Sequence, residues 1–257
     1  MSKLLVSPPT LIAHRGYSGR YPENTLLAYK KAYQCGARYM ELDLQLTRDL
    51  KPILHHDQSL LRMAGVDLDI REIKAKQVKR MHAVYQQKFG TEFLQNRFTT
   101  FAKFCRWLKR KPDTTVFVEL KQESIDRFGV EVFVEQVSKR IAKQGVAAQC
   151  VIISFNQQSL EYCRKISELP VGWVLPDWTE QSQGILERLK PEFVFCDKTL
   201  LPANNNDIWQ GSWQWAVYNL DDVPAAIQMA NRGISWLETN EIGKLTGNDG
   251  LAIALTI

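Results

Sequence analysis

Two stretches decide how this chain is read: YMELDLQL at residues 39–46 and TVFVELK at residues 115–121. In the first, Met40, Leu42, Leu44 and Leu46 alternate with Glu41, Asp43 and Gln45. In the second, Val116, Val118 and Leu120 alternate with Glu119 and Lys121. A period of two is the signature of a β-strand, whose successive side chains leave on opposite faces. Both strands therefore gather carboxylates on one side and aliphatic groups on the other. In a barrel the aliphatic set packs under surrounding helices and the polar set points into the mouth.

Further short apolar runs occupy residues 11–14, 151–155, 171–175, 193–196, 213–219 and 234–238, which brings the number of strand candidates to eight. Helical spacing fills the intervals. Ala28, Ala32 and Cys35 precede Gly36, Val130, Val134, Val137 and Ile141 precede Gly145, and Val223, Ala226, Ile227 and Ala230 precede Gly233, each glycine standing where a helix C-cap belongs. Parallel neighbours require crossover connections, so strand and helix alternating eight times without a linker predict an α/β fold, a TIM-like (β/α)8 barrel in one domain spanning 1–257. An open doubly wound sheet is the structural alternative. The length of 257 residues suits one such barrel. Residues 57–97 do not fit a single βα unit, and read as a short insertion after the second strand region with one helix near 72–81.

Composition narrows the function classes. With 45% hydrophobic and 24% charged residues the chain has material for one large core, and disorder is excluded. A formal charge of +5 is spread among acidic residues, and the densest basic run, 103–111, carries Phe104 and Leu108 at helical spacing, as the solvated face of an amphipathic helix does. A nucleic-acid partner is therefore not expected. Five cysteines without a CxxC pair read as core thiols. No run has the length of a membrane span, and Leu4, Leu5 and Val6 are too few for a secretory h-region, so the expectation is a cytoplasmic protein without stable membrane insertion. GxGxxG, GxxxxGKS and GxSxG are all absent. No feature specifies an oligomeric state.

Three carboxylates brought together repel unless a cation joins them. Glu41, Asp43 and Glu119 offer only oxygen, which suits one hard divalent ion, Mg²⁺ or Ca²⁺. The plainer alternative is that each is an exposed or salt-bridged surface group. His14 and His56 end apolar stretches, where barrel strands present catalytic groups, and two imidazoles flanking a phosphate would serve as general acid and base. His55 and His82 read as hydrogen-bonded structural residues. Arg15 and Lys121 offer positive charge for phosphate oxygens or serve as ion-pair partners, and Glu23 and Asn24, candidate substrate contacts, stand where a helix starts, with an N-cap as the competing reading of Asn24. Trp213 and Trp215 share a face, with Trp215 as a pocket wall and Trp213 as core. Trp178 and Trp209 mark an interface or a lid.

Taken in order, HRGYSGRYPENTLLAYKKAYQCGARYMELDLQLTRDLKPILHHD at residues 14–57 resembles the signature region of the glycerophosphodiester phosphodiesterase family, with its HRG opening, PENT, spaced acidic pair and His-Asp pair. The resemblance continues through VFVELK at 116–121 and more weakly through Ser154–Phe155 and WAVYN at 215–219. It implies a TIM-like barrel with a small insertion after the His-Asp pair. It further implies His14 and His56 as acid and base, Glu41, Asp43 and Glu119 on a divalent metal, Arg15 and Lys121 on phosphate, and Trp215 bordering a small glycerophosphodiester substrate. The implied reaction yields sn-glycerol 3-phosphate and an alcohol. Lysophospholipase D-like cleavage is the alternative, with Leu60, Leu61, Met63 and Phe89 as an apolar rim, and a non-catalytic phosphodiester-binding barrel is the alternative of another class. The chain departs from the pattern where the family tends to show Thr-Asp followed by proline, reading Glu238, Thr239, Asn240, Glu241.

Overall fold

Each apolar run forms a strand, and eight of the strands close on one another. A computed structural model describes residues 8–247, so Leu4, Leu5 and Val6 lie outside the described residues. The strands are β1 (Thr10–Ala13), β2 (Tyr39–Leu46), β3 (Pro52–Leu54), β4 (Thr99–Thr100), β5 (Thr115–Leu120), β6 (Cys150–Ser154), β7 (Val171–Val174), β8 (Phe193–Asp197), β9 (Gln214–Tyr218) and β10 (Trp236–Thr239). Parallel pairing runs β1-β10-β9-β8-β7-β6-β5-β2, and a β1–β2 pairing shuts the ring. The open-sheet alternative is thereby excluded.

Strand parity separates two apolar regions. Met40, Leu42, Leu44, Val116, Val118 and Leu120 face outward into the main core. Longer helices cover it, among them α1 (Leu26–Gln34), α5 (Phe101–Leu108), α7 (Val130–Gln144), α8 (Gln157–Ile166), α9 (Glu180–Leu189) and α10 (Val223–Asn231). In α5 the buried Phe101, Phe104, Cys105, Trp107 and Leu108 leave Lys103 and Arg106 in solvent, so the basic run is the polar face of an amphipathic helix. Cys105, Cys150, Cys163 and Cys196 are buried thiols and Cys35 is half-buried.

Inside the ring, Ile12, Phe117, Val151, Ile153, Val174, Phe195 and Ala216 form a separate plug. It closes the lower barrel and leaves polar side chains only one layer above. Phe117 packs edge-on against Phe193, Phe195 and Trp236, at 4.9, 5.0 and 6.2 Å between centroids. Phe117→Ala should therefore lower unfolding free energy by about 3–5 kcal/mol, measured by urea denaturation, because the closed ring cannot collapse onto the void.

The insertion departs from expectation. In place of one helix over 72–81 the chain makes single turns, α2 (Leu61–Ala64), α3 (Ala75–Val78) and α4 (Gln86–Phe89), with a 3-10 turn at Ile70–Glu72. The buried positions Ile70, Ile73, Ala75 and Val78 follow no single helical period, and with Ile53, Leu60, Met63, Ala83 and Phe98 they build a small core of their own. Two short antiparallel strands frame it: β3 pairs with β2, and β4 with β3. The β2–β3 hairpin reverses the chain at the mouth. It returns His56 to the level of Asp43, whose carbonyl accepts the His55 N–H at 3.1 Å.

Among the described residues no helix is long and apolar enough to cross a membrane.

Candidate active site

A cavity at the C-terminal ends of the strands is lined by His14, Arg15, Glu41, His56, Glu119, Lys121, Phe155, Tyr218 and Glu238, among others. Its floor is the apolar plug, and its acidic wall follows from strand register. Asp43 pairs directly with Glu119 across β2 and β5, so the inward parity of both strands delivers carboxylates side by side. Donor atoms of Glu41, Asp43 and Glu119 lie within 4.8 Å of one another.

These carboxylates are buried, and their charges interact accordingly. Burial, with Asp43, Glu238 and Glu119 close by, pushes Glu41 well above the usual carboxylate range. Glu119 is raised too, by burial, although Lys121 opposes it. Burial alone would raise Asp43, yet the Arg15 guanidinium at 2.9 Å and the Lys121 ammonium at 3.5 Å hold it far below its ordinary value. Glu41 Oε1 and Asp43 Oδ1 are buried without a hydrogen-bond partner. Orphaned carboxylate oxygens in an all-oxygen donor set fit a hard divalent cation, which would satisfy both at once.

The HRG opening has a local cause. Arg15 takes a left-handed backbone (φ 55), which turns its N–H to Glu41 Oε2 at 3.0 Å. Gly16 follows with φ 83, and a Cβ there would stand 2.8 Å from the backbone of Ala28 on α1. Only glycine permits that approach.

His14 sits with Nδ1 2.8 Å from Asn240 Oδ1. The Asn240 amide nitrogen donates to Asp221 Oδ2 at 2.9 Å, which leaves its oxygen as the acceptor. Nδ1 of His14 therefore carries the hydrogen, and the Nε2 lone pair faces Glu41 Oε2, 3.9 Å away. Burial, with the Arg15 charge beside it, lowers the imidazole to about 4. His56 differs: its Nδ1 contacts the Asp57 carboxylate at 2.7 Å, and its side chain is one-third exposed.

Glu23 and Arg62 tie the two halves together. Arg62 donates to both oxygens of Glu23, at 2.9 and 2.8 Å, and to both oxygens of Asp57, at 2.7 and 3.0 Å. Arg15 donates to Glu23 from the other side at 3.0 Å. Burial would raise Glu23, but Arg62 and Arg15 bring it from 4.5 down to about 2. A carboxyl group depressed on folding adds stability above its unfolded pKa and loses it as pH falls toward the folded value. Glu23→Gln should thus cost about 3 kcal/mol at neutral pH from this shift alone, with the gap to wild type narrowing below about pH 4.5 and closing near pH 2 in urea titrations.

Several assignments change. Thr25, not Asn24, caps α1, accepting from the Ala28 N–H. Asn24 instead donates to Asp43 Oδ2 at 2.7 Å and accepts from the Tyr29 hydroxyl, which makes it a support for the acidic wall and not a substrate contact. Glu23 likewise holds two arginines and does not line the cavity. Trp215 points out of the barrel, because Ala216 and Tyr218 take the inward parity of β9. It stacks on Trp178 at 5.4 Å, Trp178 stacks on Trp209 at 4.0 Å, and the Trp215 indole N–H donates to the Trp209 carbonyl. Trp213 is buried in the outer core. His55 is buried with Nε2 3.1 Å from the Ser59 carbonyl, as expected, whereas His82 pairs with Arg97 only through its backbone in the insertion, and its ring Nδ1 is buried without a hydrogen-bond partner. Glu238, Asn240, Asp221 and Arg62 belong to the site without having been read as such. Glu238 carried a signal, as a polar group at the end of an alternating strand like Glu119, and Asn240 carried one as part of the departure from the family pattern, whereas Asp221 and Arg62 carried none.

A profile of the Glycerophosphoryl diester phosphodiesterase family matches residues 14–244, nearly the whole chain. The chain belongs to that family. Among its relatives, a glycerophosphodiester phosphodiesterase of Caldanaerobacter subterraneus subsp. tengcongensis is 32% identical over 163 residues, a match covering 63% of this chain and 65% of the relative. A lysophospholipase D of Homo sapiens is 25% identical over 165 residues, 62% of this chain and 50% of that protein. The matched segments thus span a little under two thirds of the first relative. Among solved structures, a phosphodiesterase of Oleispira antarctica in complex with the product sn-glycerol-3-phosphate superposes with a TM-score of 0.82 at 22% identity, covering 96% of each chain. That likeness bears on the fold. At the Thr239–Asn240 pair, Asn240 holds His14, and Asp221 supplies the carboxylate behind it.

Proposed function

We propose that the chain hydrolyses glycerophosphodiesters to sn-glycerol 3-phosphate and an alcohol such as choline or ethanolamine, with a divalent cation held by Glu41, Asp43 and Glu119. The observation that carries this reading is convergence. One cavity gathers the imidazoles of His14 and His56, the cations Arg15 and Lys121, and a buried acidic cluster.

The tautomers divide the labour. His14, kept neutral with Nε2 unprotonated, takes the proton from the attacking oxygen, either a water or the neighbouring glycerol hydroxyl, whose attack expels the alcohol and leaves a cyclic phosphate that a water then opens. His56, oriented through Nδ1 by the Asp57 carboxylate, is placed to deliver a proton to the leaving alcohol. Arg15 and Lys121 draw the non-bridging phosphoryl oxygens inward. A divalent cation, when bound, neutralises charge that builds on the phosphoryl group.

The lysophospholipid reading needs an apolar rim. Leu60 and Met63 are buried in the insertion's core and Phe89 packs against Tyr85 and Phe93, so of the four only Leu61 is exposed, and Phe155 is exposed at the cavity itself. This favours small, water-soluble diesters. Parallel assays on glycerophosphocholine and lysophosphatidylcholine should give the larger kcat/KM on the former. A larger value on the latter would transfer the chain to the alternative, and turnover of neither, despite metal binding, would make it a binding barrel.

A further inference from the structure

The acidic wall holds one more carboxylate than the cation of the proposed reaction requires. Glu238 reaches the cavity from β10, 3% exposed, and its Oε1 is buried without a hydrogen-bond partner. Donor atoms of His14, Glu41 and Glu238 lie within 4.8 Å of one another. This group shares Glu41 with the Glu41–Asp43–Glu119 set but differs from it in chemistry, since one donor is an imidazole.

Four arguments converge on a ligand. Glu238 Oε1 stays orphaned in a desolvated wall even with the first cation in place, a costly state that a second cation beside it relieves. The 3.9 Å from His14 Nε2 to Glu41 Oε2 falls within the roughly 4 Å that two ligands of one ion can span at about 2.1 Å each. The His14 ring is prepared as a ligand, with Nδ1–H on Asn240 and Asn240 on Asp221 fixing the tautomer from behind. Finally, Arg15 and Lys121 pair with Asp43 and Glu119, and neither ion-pairs with Glu238.

We propose that His14 Nε2, Glu41 and Glu238 form a second cation site, selective for a borderline transition-metal ion such as Co²⁺ or Zn²⁺, and that an ion held there inhibits the enzyme. One nitrogen and two carboxylate donors favour such ions, whereas the neighbouring all-oxygen set favours Mg²⁺ or Ca²⁺. Inhibition follows because coordination occupies the lone pair of the base. That second half rests on the reading of His14 given above, while the site itself does not.

The test is a titration of Co²⁺ into the whole chain saturated with Mg²⁺, followed by its visible d–d absorption. The wild type should take up one Co²⁺ per chain, with an exchangeable, paramagnetically shifted imidazole N–H resonance from the ligating ring. Glu238→Gln, close to isosteric, should bind at least tenfold more weakly, and Glu119→Gln should keep the bands. Co²⁺ should also inhibit Mg²⁺-supported turnover, with the inhibitory concentration at least tenfold higher in Glu238→Gln. No Co²⁺ uptake above Mg²⁺, no shifted imidazole resonance in the wild type, or equal uptake by Glu238→Gln would overturn the site. Co²⁺ bound as described without loss of turnover would overturn the inhibition, and His14 as base with it. The spectra need no turnover, so a chain inactive on every diester still decides the site.

Discussion

His14→Ala and His56→Ala should each lower kcat on glycerophosphocholine by about 10²–10⁴-fold, the range of a positioned acid or base, and the fold should stay intact by circular dichroism. Neither ring holds the barrel together. Without His14, Asn240 Oδ1 still accepts from the Ser18 hydroxyl, and without His56, Asp57 keeps both of its bonds to Arg62. The two variants part on a diester with a nitrophenol leaving group, which departs without a proton. His56→Ala should recover most of its loss there, and His14→Ala should recover little. Recovery by His14→Ala alone would reverse the assignment of acid and base.

Exhaustive chelation should lower turnover by about 10³-fold or more, as loss of several kcal/mol of transition-state stabilisation by the cation requires, and Mg²⁺ or Ca²⁺ should restore it. Glu119→Gln separates cation binding from general damage. The neutral amide retains the shape of the side chain but withdraws one anionic ligand and leaves the Lys121 ammonium facing Asp43 alone. Wild-type Tm should rise with cation concentration, as ligand binding to the native state alone requires. In Glu119→Gln the rise should need far more cation, with activity shifted in parallel. A Tm indifferent to cation in the wild type would remove the acidic cluster from the mechanism.

Much of this architecture was legible because barrel strands are short and periodic. The alternation in residues 39–46 and 115–121 announced both the outward aliphatic face and the inward carboxylates, and Gly36, Gly145 and Gly233 all adopt positive φ after their helices. Parity alone was blind where both faces of a strand are apolar. In 213–219 alternation grouped Trp213 with Trp215 correctly, yet could not say which side was the lumen, and Ala216 with Tyr218 occupies it. Single-turn helices and two-residue strands such as Thr99–Thr100 carry too few periods to be seen, which is why the insertion read as one helix. The helix cap was displaced by one residue because asparagine is the better N-cap of the two by intrinsic preference, and only the nearby Asp43 recruits Asn24 elsewhere and leaves the cap to Thr25. Arg62 left no trace, since nothing local distinguishes it from a surface arginine; its importance lies in reaching Glu23, 39 residues away in the chain.

The central claim is that acidic residues from two strands and imidazoles from two others surround one phosphoryl group. A crystal structure with Ca²⁺ and sn-glycerol 3-phosphate tests it most directly. Calcium should lie about 2.3–2.6 Å from oxygens of Glu41, Asp43 and Glu119, with the phosphate between His14 Nε2 and His56 and within reach of Arg15 and Lys121. Calcium outside that carboxylate set, or a phosphate touching only one of the two rings, would contradict the account.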